Sequence, residues 1–76
     1  MQTIYSKQAA KYLGKLNKKT ALRLLEAVCK LPEGDVKKMR GFDNLYRLRV
    51  GDFRVKFTRN VEQIVVEEIG LRGDIY

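Results

Sequence analysis

LYRLRVGDFRVKFT, residues 45–58, consists of two short alternating runs joined by Gly51-Asp52. A two-residue break containing glycine reads as a tight β-hairpin, because the turns that match strand twist need residues tolerant of positive φ. With the turn at Gly51-Asp52, Val50 faces Phe53, Leu48 faces Val55 and Tyr46 faces Phe57. Side chains alternate across a sheet, so these six residues form one apolar face, and Arg47, Arg49, Arg54 and Lys56 emerge together on the other. Arg49 then sits opposite Arg54, and Arg47 opposite Lys56. Like charges directly across a strand pair cost roughly 0.2–1 kcal/mol each. Pattern alone is equally consistent with a solvated outer face and with a cationic square built to receive an anion.

Downstream of the hairpin, a turn near Arg59-Asn60 leads to a third strand of that sheet, Gln63 to Ile69. Its register stays open: Ile64 with Val66, or Val65 with Ile69, could face the core. In either register Glu67 or Glu68 lies near the cationic face. The chain ends in Gly70-Leu71-Arg72-Gly73-Asp74-Ile75-Tyr76. Upstream, Gln2 to Tyr5 is β-prone and Ser6 is placed to cap a helix from Lys7 to Leu16, with Ala9, Tyr12, Leu13 and Leu16 on one stripe. Asn17 caps a second helix, Lys18 to Leu31, which carries Ala21, Leu24, Leu25, Val28 and Leu31. The short link predicts an antiparallel helical hairpin. Pro32 and Gly34 end the second helix and open a polar crossing segment, Pro32 to Asn44. The expected class is α+β, in the order β-α-α-β-β-β, with the helical hairpin on one face of a small, mainly antiparallel sheet.

The 76 residues predict one small domain over 1–76. Sixteen Lys and Arg against nine Asp and Glu give a formal charge of +7, which points to a polyanionic partner, nucleic acid first and an acidic protein second. Cys29, the single cysteine, excludes an internal disulfide and a Cys-based zinc site, and its helical setting suggests a buried thiol in a reducing cytoplasm. With no histidine in the chain, imidazole acid–base catalysis and His metal sites are excluded. No apolar run approaches the ~20 residues of a membrane span. Tyr5, Tyr12, Tyr46, Phe53 and Phe57 read as packing residues. Lys7, Lys11, Lys15, Lys18 and Lys19 read as a solvated helix face.

The segments YSKQAAKYLGKL (5–16), KKMRGFDNLYRLRVGDFRVKF (37–57) and IGLRGDIY (69–76) together resemble the RelE/ParE superfamily of bacterial type II toxins. More narrowly, the chain is similar to RelE-like messenger-RNA endoribonucleases. The resemblance implies cleavage of mRNA in the ribosomal A site, the 2′-hydroxyl attacking the adjacent phosphate to leave a 2′,3′-cyclic phosphate and a 5′-hydroxyl. Carried over by position, the working residues are Arg47, Arg49, Arg54, Arg72 and Tyr76, with Lys56 as a further RNA contact and reserve base. Two departures stand out. Relatives often carry a strand lysine where this chain has Arg47 and Arg49, which do not deprotonate, and many carry a histidine where it has Leu71. The resemblance implies no cofactor or metal. It implies a cognate antitoxin as partner, a hetero-oligomer with it, and the ribosome with its message as target, all in the cytoplasm. It leaves open whether the native chain extends past Tyr76. The alternatives are a ParE-like inhibitor of DNA gyrase and a degenerate member that only binds antitoxin or RNA.

Overall fold

The computed structural model describes residues 2–31, 33–41 and 44–71. In chain order the elements are β1 (Gln2–Tyr5), α1 (Lys7–Lys15), α2 (Lys18–Cys29), β2 (Asp35–Lys38), β3 (Leu45–Val50), β4 (Phe53–Arg59) and β5 (Gln63–Leu71). Both helices begin where a side-chain oxygen can satisfy an otherwise unpaired amide. Ser6 Oγ accepts from Ala9 N at 3.1 Å, and Asn17 Oδ1 accepts from Thr20 N at 2.8 Å. The second helix stops at Cys29, short of Leu31; Pro32 lies outside the described residues.

The five strands lie in the order β1-β5-β4-β3-β2, with β1 parallel to β5 and every other neighbour antiparallel. The β3–β4 register is the one the sequence dictates: Val50 with Phe53, Leu48 with Val55, Tyr46 with Phe57. Gly51 takes φ +59 in the turn, a left-handed conformation that favours glycine, while the neighbour a Cβ would meet, Arg23 Nη2 at 3.1 Å, is the movable end of an exposed side chain. Leu48, Val55 and Phe57 are buried together with Ala9 of α1, Leu24 and Val28 of α2, and Ile64, Val66 and Ile69 of β5. Tyr5, Tyr12, Tyr46 and Phe53 pack against this core.

Three expectations change. The segment from Pro32 to Asn44 contains an extra strand, β2, whose pairing with β3 sets Val36 against Leu48. An edge strand with a single apolar residue carries almost no period-2 signal, so DVKK reads as a crossing loop. Cys29 is exposed rather than buried: it lies one residue, about a quarter turn, past Val28 and so off the apolar stripe of α2. Finally, β5 uses both registers. Phe57 pairs with Val66 while Lys56 pairs with Glu68, which leaves Glu67 as the extra residue of a β-bulge. A bulge of one residue inverts the alternation beyond it. Ile64 and Val66 therefore face the core before it, and Ile69 faces the core after it.

Candidate functional site

Since the helices cover the Leu48–Val55–Phe57 face, the opposite face of the sheet is left to the charged residues. Register places them in rows. One row runs Asp35 (β2), Arg49 (β3), Arg54 (β4), Gly70 (β5). The next runs Lys37, Arg47, Lys56, Glu68. Directly opposite residues in a sheet have Cβ atoms about 4.5–5.5 Å apart, so Arg47, Arg49, Arg54 and Lys56 form the square expected from the hairpin.

The four cations are not equivalent. Arg54, on the central strand, is only 7% exposed, whereas Arg49 beside it is exposed and Arg47 and Lys56 are intermediate. Its neighbour on the far side is Gly70, which puts no side chain in the row. A charged group held this far from water has few orientations open to it, which is the condition for preorganised electrostatic stabilisation of an anion. Carboxylates flank the square. Lys56 Nζ lies 3.4 Å from Glu68 Oε1, Asp35 is registered with Arg49, and Thr58 Oγ1 donates to Glu67 Oε2 at 3.2 Å. The bulge thus turns both Glu67 and Glu68 toward the cations, as the crowding of like charge requires. Among the described residues no group of three or more His, Cys, Asp or Glu could hold a metal ion.

Past the bulge, β5 loses β1 as a partner and gains the start of α1 instead. Ser6 N donates to Val66 O at 2.9 Å and Ser6 Oγ donates to Glu67 O at 2.6 Å. Gln8 then supplies a side-chain amide in place of a strand: its Nε2 donates to Ile69 O and its Oε1 accepts from Ile69 N, both at 3.0 Å. This clamp fixes the strand end that leads to Arg72. Arg72 and Tyr76 lie outside the described residues. Gln8 was not legible as a site residue, because nothing local ties a polar residue in a first helical turn to an amide 61 positions away. Gln8→Leu keeps the volume but strands both Ile69 groups, a cost of roughly 1–3 kcal/mol. The expected outcome is faster amide hydrogen exchange at Ile69 and Gly70, with exchange in β3 unchanged.

No protein-family model matches the chain. Among curated proteins, Toxin RelE3 of Methanocaldococcus jannaschii is 38% identical over 42 residues, covering 55% of this chain and 48% of that protein. The matched stretch therefore spans about half the length of that relative. Among solved structures, the archaeal RelE–RelB complex from Pyrococcus horikoshii contains a chain that superposes with a TM-score of 0.75 at 30% identity, covering 96% of both chains. The chain belongs to the RelE toxin family. The RelB–RelE antitoxin–toxin complex from Methanococcus jannaschii gives a TM-score of 0.78 at 24% identity, covering 96% of this chain and 94% of that one, and it shares the fold. For this RelE-family chain the α+β class expected from the hairpin is the observed one, with β2 added.

Proposed function

We propose that the chain is the toxin of a type II toxin–antitoxin pair and acts as a ribosome-dependent mRNA endoribonuclease in the cytoplasm. The observation that carries this reading is the buried Arg54 set among three other cations on the face of the sheet opposite the helices. A guanidinium held in place on that face suits the charge that develops in a phosphoryl-transfer site. In-line attack of a 2′-hydroxyl on its own 3′-phosphate builds negative charge on the non-bridging oxygens. Arg54, joined by Arg72, stabilises that charge, and Arg49 and Arg47 hold neighbouring phosphates. The 2′-hydroxyl proton leaves to a base, for which Tyr76 and then Lys56 are the candidates, and the 5′-oxygen leaves protonated as a hydroxyl. Glu68 beside Lys56 ranks that lysine second, since it already has a carboxylate partner.

The partner in this reading is a cognate antitoxin, consistent with the RelB present in both related complexes. An acidic, initially disordered segment suits a +7 surface. Translation in vitro with purified protein, followed by primer extension on the message, is the test. Cuts confined to translated codons are expected. An uncut message with translation inhibited only through DNA supercoiling would instead indicate gyrase poisoning, and an uncut message with no inhibition a binding-only protein.

A further inference from the structure

Two concavities flank the β2 edge, and their charges differ. The larger, about 420 Å³, lies between α2 and β3 and is lined by Arg23, Lys30 and Arg49 but equally by Glu26, Glu33 and Asp35. Its charges cancel locally, so it offers an anion nothing. The smaller, about 300 Å³, is lined by Lys37, Lys38, Met39, Arg40 and Arg47. All four of its charged groups are cationic, and no carboxylate lines it among the described residues.

Arg47 belongs both to this cleft and to the square on the open face. Lys37 is registered opposite it, so the cations continue without a gap from β4 across β3 to β2. Adjacent strands are about 4.8 Å apart and residues rise about 3.4 Å along each, so Lys37, two strands across and two residues along, lies about 12 Å from Arg54, with Lys38, registered with Tyr46, and Arg40 further along the edge, a span that successive nucleotides of one strand can follow. Lys37, Lys38 and Arg40 are exposed, so they can meet a ligand without rearrangement, and the half-buried Met39 between them offers an apolar surface for a base. Phosphate contacts of this kind set position and affinity rather than sequence.

We propose that Lys37, Lys38 and Arg40 form a second phosphate subsite that holds the message next to the scissile bond and leads it over the β2 edge. The proposal rests on the RNA-cleaving reading above, and its test is independent of cleavage. Binding of a short single-stranded RNA, 2′-O-methylated so that it cannot be cut, is followed by fluorescence anisotropy over a range of salt. Each phosphate contact on a single strand contributes a slope of about 0.7 in log K against log salt. Lys38→Ala with Arg40→Ala is therefore expected to flatten the slope by about 1.4 and weaken binding at low salt about tenfold. Lys7→Ala with Lys11→Ala, on the exposed side of α1, leaves both unchanged. An unaltered slope in the cleft variant, or an equal loss in the α1 variant, overturns the proposal. So does unaltered RNA binding with weakened binding of an acidic antitoxin peptide, which would make the cleft a protein-docking site. Absence of cuts on the ribosome, with the slope change present, removes the nuclease reading and leaves the subsite.

Discussion

Arg54→Ala is expected to lower message cleavage on translating ribosomes by about 10²–10³-fold, the usual loss when one preorganised donor to a developing oxyanion is removed. The size follows from where Arg54 sits. It is central in the sheet, 7% exposed, and faced by Arg49 on one side and Gly70 on the other. Arg49 has the same chemistry but is exposed, so water competes for its charge. Arg49→Ala is expected to cost about tenfold, close to the value of one ordinary charged hydrogen bond. Arg54→Lys separates positioning from charge: an ammonium keeps the positive charge but loses the planar fork, and activity recovers only in part. Expression of Arg54→Ala or Arg72→Ala restores growth while antitoxin binding persists. Melting curves accompany each variant, because truncating a buried side chain leaves a void. Wild-type toxicity in both variants would sink the nuclease assignment.

Phe57→Ala is the largest expected loss of stability, about 3–5 kcal/mol. Phe57 is 1% exposed, stacks on Tyr46 at 5.6 Å and 19°, and lies beside the point where β5 bulges. It thus belongs to the buried cluster that also holds Ala9 of α1, Leu24 and Val28 of α2 and Val66 of β5. In a chain this short each kcal/mol moves the melting temperature by about 4–8 °C, and total stability is about 5–15 kcal/mol. The melting temperature followed by circular dichroism should therefore fall by about 12–40 °C. Phe57→Leu, which keeps most of the apolar volume, is expected to cost about 1–1.5 kcal/mol. A melting temperature for Phe57→Ala within a few degrees of wild type would mean the core is centred elsewhere.

Legibility follows from how local each determinant is. The hairpin needs only a strict period of two and a two-residue turn, both contained within residues 45–58, so its register and the four cations facing away from the helices were readable. The caps at Ser6 and Asn17 were readable for the same reason, each acting three residues ahead. The strand β2 was not, because its stability comes from backbone pairing with β3 rather than from its own side chains. Lys37 therefore falls within the expected crossing segment, although it is registered beside Arg47.

The amino-acid sequence by itself determined the β3–β4 pairing, the helical stripes and which cations share a face, since these depend on spacing along a few neighbouring residues. Tertiary structure alone decided which arginine of an alternating pair would be buried, because burial depends on the strands to either side: β5 with Gly70 for Arg54, β2 with Asp35 for Arg49. It also decided the parity of β5. Val65 and Val66 fit the core face equally well, and only the pairing with Phe57 on one side and the Ser6–Gln8 turn on the other selects a strand that switches face at Glu67.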